Sequence, residues 1–485
     1  MRVLLVNAPY HFPDPTVHRT ELLGLEYLCA SLHKAGHEVS LWDPTLDEPI
    51  HLPNGLYYYG TTDEYTYNTI KNYQPDCVGI SCHYSFASQE AYHVAMIAKR
   101  VNPDIAVVMG GLFVSIFHEK ALIECDAIDY CLIGESEISL VDLLSYFSGK
   151  EKNLEEIDGL IYRQGKALLK NKKGTFINDL DSIPFPARDL LDITPYLYGS
   201  RTKRLYGLGN KPALSILTSR SCPNRCSYCN MWLVHGSRWR GRSVENVINE
   251  IDEILNKYKA EHVFIVDDNF TFKPERTKFI CEKIIEKGYQ FRWNTPNGIS
   301  VKRVDEEMAV LMERAGCANV CIAIESGSEY IRKVVMNKKI SNSEIEHAVM
   351  CFKKAGIPVV GFVMIGMPGE DEGHFQETLK FVKSLPLTSI VVSYAIPFPG
   401  TKLYEKLIKE GILDSNFSIG MDDFNTPVYA TELFTKEDLI RRKKILKDSF
   451  PSLAILAELE AQNEKMHSRR YPGFSIEQKK KHEIM

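Results

Sequence analysis

Short apolar runs that end on glycine, serine or a carboxylate recur along this chain, and helical patterns follow most of them. In the first 145 residues, "RVLLVN", "HEVSLWD", "DCVGIS", "AVVMGG" and "YCLIGE" read as strands. The segment "ELLGLEYLCASLHKAG" sets Leu25, Leu28, Cys29 and Leu32 on one helical face and stops at Gly36; "ASQEAYHVAMIAKRVNP" supplies a further helix. Strand–helix alternation with short connections specifies an α/β fold with a doubly wound parallel sheet. Ligands bind such sheets outside the carboxyl ends of the strands. The residues at those ends are Ser81, Tyr84 and Ser85, then Gly110 and Gly111, then Gly134 and Glu135. Glycine there lets a flat ligand approach the backbone, and simple strand termination is the competing account.

At 485 residues the chain is too long for one ordinary domain. Residues 146–205 read as a linker with a small hairpin around Gln164–Gly165 and an extended proline segment, "IPFPARDLL". Alternation resumes over 206–410, with strands expected at 213–218, 262–266, 291–295, 319–324, 359–364 and 389–395. Ser243 is placed to cap a helix whose apolar stripe is Val244, Val247, Ile248, Ile251, Ile254 and Leu255. Six strand–helix units in succession predict a partial or full barrel. Residues 411–485 form a helical C-terminal region with a charged tail, "SRRYPGFSIEQKKKHEIM".

Net charge is −5 and the pI about 6.3, which gives no global attraction to nucleic acid. No stretch reaches the roughly 18 apolar residues of a transmembrane helix, and the N-terminus reads as a strand rather than a signal peptide. Twelve cysteines, mostly scattered singly through apolar segments, indicate a reducing compartment, the cytoplasm, rather than a disulfide framework. Cys317 and Cys321 straddle the start of an apolar strand and read as core.

Cys222, Cys226 and Cys229 in "SCPNRCSYC" are different. They follow a predicted strand, at the end of a barrel where chemistry usually sits. Thiolates select zinc or iron–sulfur clusters. Zinc needs a fourth ligand, for which His235 is in range of sequence; a [4Fe–4S] cluster held at three corners leaves its fourth iron open.

This C-x3-C-x2-C loop resembles that of the radical S-adenosylmethionine superfamily. The resemblance implies a [4Fe–4S] cluster on the three cysteines, with S-adenosylmethionine chelating the fourth iron and cleaved there to a 5′-deoxyadenosyl radical. It places Tyr228 beside the adenine. "RWRGRSVENVINEI" with Arg242, "VFIVDDNFTFKPER" with Asp267, "CIAIESGS" with Glu325 and Ser326, and "GFVMIGMPGE" with Gly366 resemble the other cofactor-binding segments. "YAIPFPGT" resembles the sixth-strand signature. The N-terminal segments "VGISCHYS", "VVMGGLF" and "CLIGESE" resemble the cobalamin-binding domain found ahead of the barrel in one branch. That assigns Ser81, Tyr84, Ser85, Gly110, Gly111, Gly134 and Glu135 to cobalamin. One departure matters: the D-x-H-x-x-G motif is replaced by "DPTVHRTELLG", so bound cobalamin is implied to be base-off without that histidine.

The branch contains methyltransferases acting on unactivated carbon or phosphorus, and an oxygen-independent tetrapyrrole cyclase. The expected function is therefore cobalamin-dependent radical methylation. Ring formation, or a barrel whose N-terminal domain no longer holds cobalamin, is the alternative. A methylthiotransferase would carry three further N-terminal cysteines, absent from "VNAPYHF"; a non-catalytic sensor would not need the cofactor segments. The resemblance also implies an external one-electron reductant of flavodoxin or ferredoxin type. The substrate class stays open among small molecules, lipids, tetrapyrroles and peptides. Candidate contacts are His235, Trp239 and Trp293, with His18, Arg19, Arg240 and Asn294 behind them.

Overall fold

A computed structural model describes residues 1–13, 20–150, 153–199, 211–414, 417, 419–420 and 422–459. The chain divides into two units. The first comprises Met1–Pro195 together with Asn230–Gly236 and Asn416–Met421; the second comprises Tyr196–Cys229, Ser237–Ser415 and Asp422–Met485.

Strands of the first unit are β1 (Arg2–Asn7), β2 (Tyr10–Phe12), β3 (Glu38–Trp42), β4 (Ile50–His51), β5 (Tyr57–Tyr59), β6 (Cys77–Ser81), β7 (Ala106–Gly110), β8 (Tyr130–Leu132), β9 (Leu160–Gln164) and β10 (Ala167–Lys170). The main sheet runs β10-β9-β8-β7-β6-β1-β3, and its five strands from β8 to β3 are parallel. With only those five counted in chain order, the arrangement is 2-1-3-4-5, the flavodoxin-like order, whose switch point lies between β1 and β6. Period-two alternation buries both faces. Leu4 and Val6 join Val78, Ile80, Val107 and Met109 in one core, while Val3 and Leu5 join Cys77, Val108 and Leu132 in the other. Of the stripe expected on the first helix, Leu23–Lys34, Leu25, Cys29 and Leu32 are buried and Leu28 is half-buried against the same core.

The hairpin assigned by sequence to a linker has another role. β9 pairs antiparallel with β8 and β10 with β9, so the hairpin extends the parallel sheet, and the first unit continues to Pro195. Leu160, Ile161 and Tyr162 are buried by this pairing, an apolar cluster too short to distinguish a docked hairpin from a free one by pattern alone.

In the second unit the main strands are β11 (Ala213–Ile216), β14 (His262–Ile265), β15 (Arg292–Ile299), β16 (Cys317–Glu325), β17 (Val359–Ile365) and β18 (Ser389–Tyr394). A short ladder, β12 (Ser219–Arg220) with β13 (Arg240–Gly241), stands beside them. The six main strands pair in parallel in sequence order, with β11 and β18 as edges, which makes a partial (β/α)6 barrel. Ser243 caps helix Val244–Asn256, accepting the Asn246 amide at 3.1 Å, and the helix buries Val247, Ile248, Ile251, Ile254 and Leu255 of the expected stripe while Val244 is half-buried. Leu456, from beyond helix Lys436–Asp448, packs with Ala213, Phe264, Cys321 and Val360. No helix among the described residues is long and apolar enough to cross a membrane.

Candidate cofactor sites

Nine of the twelve cysteines are buried; Cys222, Cys226 and Cys229 alone are partly exposed. Burial pushes the Cys29 and Cys77 thiols up to about 12, so these behave as small apolar groups. Cys317 and Cys321 are core residues, as expected. The three loop thiols are therefore the accessible soft donors, and their residue types fit an iron–sulfur cluster.

Three segments hold the loop from outside. From the strand ends, Asp267 accepts from the Thr218 amide, the Thr218 hydroxyl and the Ser219 hydroxyl, each at 2.6 Å, and Asp268 accepts the Ser221 amide at 3.1 Å. Burial raises the pKa of Asp267, and its hydroxyl partners oppose that rise. Ser221 has φ of 75°, a left-handed turn immediately before Cys222 that this double clamp holds in place. From the segment after the π-helical turn Ile331–Val335, the Met336 carbonyl accepts the Ser227 amide at 2.9 Å, and Asn337 donates to the Arg225 carbonyl at 2.8 Å. From the third, the Leu403 amide donates to the Ser227 carbonyl at 2.8 Å. Asn269 adds a side-chain contact, its Nδ2 lying 3.7 Å from Cys222 Sγ.

Beside the loop lies a polar triad, Glu325 and Lys338 buried and Tyr228 half-buried. The Tyr228 hydroxyl donates to Glu325 Oε1 at 2.8 Å, and Lys338 Nζ donates to the same oxygen at 2.9 Å. Glu325 sits at the end of β16 with φ of 63°, which turns the chain sharply there. Burial works to lower the Lys338 pKa, and the Glu325 carboxylate and Cys226 outweigh it, so the ammonium is kept charged. Burial, then Glu325, raises the Tyr228 pKa well above its usual value and keeps the phenol a donor.

Several sequence assignments take different roles. Arg242 bonds within its own neighbourhood: it donates to Asn246 Oδ1 at 2.6 Å, to the Leu217 carbonyl at 3.0 Å and to Glu250. Ser326 is buried in a turn, accepting the Ser328 amide at 3.2 Å with its hydroxyl 3.0 Å from that of Thr378. Trp293 is core, 1% exposed, its indole donating to the Ala315 carbonyl at 2.8 Å. Trp239 is likewise buried, donating to the Asn269 carbonyl at 3.0 Å under Arg276 and Lys273. Arg240 and Asn294 are buried too, Asn294 against His262 and Asn319. His18 and Arg19 lie outside the described residues.

Gly366, at φ of 88°, sits at the end of β17. Its carbonyl accepts the Tyr429 hydroxyl at 2.6 Å, and a Cβ there would meet Leu439 at 2.8 Å. Glu370 Oε2 accepts the Gly366 amide at 3.3 Å, and Arg442 donates to Glu370 Oε1 at 3.3 Å. Tyr429, Leu439 and Arg442 thus wall this strand end, a contribution of the C-terminal region that residue spacing could not disclose.

In the first unit, β6, β7 and β8 bring Ser81, Gly110, Gly111 and Gly134 to neighbouring strand ends. Gly111, at φ of 96°, is required: a Cβ would lie 2.5 Å from the Cys82 carbonyl oxygen. Tyr84 is 43% exposed and stacks on Phe86 with ring centres 4.9 Å apart. Ser85 instead donates to the Ile419 carbonyl at 2.7 Å, and Glu135 turns inward. Its oxygens meet the Ile177 amide and His235 Nδ1, both at 3.1 Å. His235 is therefore paired through Nδ1 with Glu135 in the first unit, which fixes the orientation of its ring.

An enzyme class is now defined: a thiol-loop partial barrel preceded by a flavodoxin-like sheet with open strand ends. A B12 binding domain model matches residues 17–144, and a Radical SAM superfamily model matches residues 216–382. An uncharacterized methyltransferase of Pyrococcus horikoshii is 31% identical across 93% of this chain and 95% of its own. The cytidylyl-2-hydroxyethylphosphonate methyltransferase of Streptomyces wedmorensis is 27% identical across 86% of this chain and 84% of its own. The structure of the radical S-adenosylmethionine methyltransferase TsrM from Kitasatospora setae, with cobalamin and a [4Fe–4S] cluster bound, has a TM-score of 0.65 at 19% identity. It covers 84% of this chain and 78% of that one, and shares the fold. The chain belongs to the radical S-adenosylmethionine superfamily, in the branch with an N-terminal B12-binding domain.

Proposed function

We propose that this protein is a cobalamin-dependent radical S-adenosylmethionine methyltransferase acting on an unactivated carbon or phosphorus centre of a small molecule. The observation that carries the reading is one chain holding both halves of the apparatus: three accessible thiols on a clamped loop, and a parallel sheet whose neighbouring strand ends carry Ser81, Gly110, Gly111 and Gly134. The bound cofactors would supply radical generation at the cluster and a transferable methyl group on cobalt.

The protein's own residues hold and orient. Cys222, Cys226 and Cys229 are the cluster ligands, and the clamps from Asp267, Asp268, Met336 and Asn337 fix their turn. Lys338 and Tyr228 hold the Glu325 carboxylate in place by hydrogen bonds, at a strand end suited to the ribose hydroxyls or amino group of S-adenosylmethionine. Gly366 makes the left-handed turn that ends β17 against Leu439, and the Tyr429–Arg442 wall would screen that strand end from water. Ser81 and Gly110 offer the close backbone approach that a corrin nucleotide tail requires, beside Gly111 and Gly134, whose missing side chains let the protein's own backbone pass. Twelve thiols without a disulfide suit a reducing compartment, and we place the protein in the cytoplasm.

Cyclase relatives exist, among them the anaerobic magnesium-protoporphyrin IX monomethyl ester cyclase of Cereibacter sphaeroides, 23% identical across 91% of this chain and 68% of its own. Methylation is preferred because the methyltransferase relatives are more similar over comparable spans. The test is incubation of the reduced, cobalamin-loaded enzyme with methyl-deuterated S-adenosylmethionine and a substrate pool. A product carrying the deuterated methyl group is expected; 5′-deoxyadenosine release with no labelled product would refute methylation.

A further inference from the structure

We propose that the lumen of the partial barrel takes the reacting segment of the substrate as an uncharged hydrocarbon, so that the methyl acceptor is carbon in an apolar group rather than an anionic phosphorus centre. The inference deepens the methyltransferase reading above and rests on it. Its basis is a change in packing along the inward face of the strands. Ala213, Phe264, Cys321 and Val360, from β11, β14, β16 and β17, form one buried cluster with Leu456. Strands that are not neighbours in the sheet share a cluster only across its concave face, so these side chains point inward. Ser389, at the start of β18, donates to the Pro451 carbonyl at 2.7 Å, which sets Leu453 and Leu456 as a floor at the amino end of the lumen.

Toward the carboxyl end the same face is no longer sealed. Val266, Phe362 and Val391 pack on the cluster yet are half-buried, Ala323 and Met364 are half-buried too, and Ser393 is exposed. Their outward neighbours Ile322, Ile324, Val363, Ile365 and Val392 are all buried. A barrel whose interior were packed throughout would bury both sets. The upper half of the lumen is therefore a cavity, and its wall is apolar. Among the described residues, no charged side chain stands at an inward position of β11, β14, β17 or β18 in that half. Glu325, where β16 ends, is already bound by Lys338 at 2.9 Å. The polar groups at this wall are neutral: the Ser393 hydroxyl, and Asn297, whose Nδ2 donates to the Val266 carbonyl at 2.7 Å. A phosphinate or carboxylate held there would give up its hydration without gaining a cation, a penalty that an alkyl or ring carbon does not incur. An apolar wall with a few neutral polar groups binds and orients a neutral ligand and keeps water from the reacting carbon. An aliphatic chain and an uncharged ring system share this chemistry.

The test is equilibrium dialysis of the full, cluster-reconstituted chain against three probes, each below its aggregation concentration: decanol, mesoporphyrin dimethyl ester and decylphosphonate. At least one neutral probe should bind about tenfold or more tightly than decylphosphonate, and the tighter of the two neutral probes tells chain from ring. In Met364→Lys the order should reverse, because an ammonium then stands in the lumen; a gain of phosphonate binding cannot come from misfolding. Decylphosphonate binding wild type as tightly as both neutral probes would overturn the proposal. An unaltered order in Met364→Lys would do the same, by placing the bound probe outside the lumen. A reduced cluster whose electron paramagnetic resonance signal does not respond to added S-adenosylmethionine would instead refute the reading beneath.

Discussion

At the scale of single residues the site depends on one buried cation. Lys338 holds Glu325 at 2.9 Å, and each side chain is only 10% exposed. Lys338→Met would leave that carboxylate facing only the Tyr228 phenol, a loss of about 3–5 kcal/mol for an uncompensated buried charge. Lys338→Met/Glu325→Gln should regain most of that stability, because an amide carries no charge to bury. It should still bind S-adenosylmethionine more weakly than wild type. Thermal melting together with equilibrium binding separates the two effects: equal stability loss in single and double variants would show that the pair is not coupled. Nothing in "VVMNKK" announced this lysine, since its partner is 13 residues away across a turn. The three cysteines were legible because their spacing carries their chemistry. Trp293 turned out to be core because a residue type at a strand end does not say which way its side chain faces.

At the scale of elements, the C-terminal helix Lys436–Asp448 is tied to the end of β17 by Arg442 and Glu370. Burial pushes the Glu370 carboxyl up to about 7, against the pull of the Gly366 amide and Arg442. The folded protein therefore binds this proton more tightly than the unfolded chain, whose carboxyl titrates near 4.5. The stabilisation is complete below 4.5 and is lost as pH rises through about 7. Glu370→Gln should flatten the fall in melting temperature between about pH 5 and about pH 8. An unchanged slope would assign that pH dependence to other groups. Elements with a local period were readable in advance: the Leu25–Cys29–Leu32 face, the Ser243 cap and all six barrel strands lie within a few residues of their expected places. The docking of hairpin β9–β10 onto β8 and the wall over Gly366 were not readable, because each joins segments far apart in the chain through contacts that leave no periodic trace.

At the scale of the whole molecule, two units of different architecture each bring small or polar residues to the carboxyl ends of parallel strands, where ligands of α/β sheets bind. Sequence resemblance and family models agree that one unit is of the B12-binding kind and the other of the radical S-adenosylmethionine kind, and the D-x-H-x-x-G motif is replaced in this sequence by "DPTVHRTELLG". The central claim is that both cofactors reside on one chain. The most direct measurement is cobalt and iron analysis of anaerobically reconstituted protein after incubation with hydroxocobalamin and desalting, with its visible spectrum. About one cobalt and about four irons per chain are predicted, with a base-off cobalamin spectrum. Four irons without cobalt would contradict the account and leave a radical S-adenosylmethionine barrel whose first unit serves another purpose.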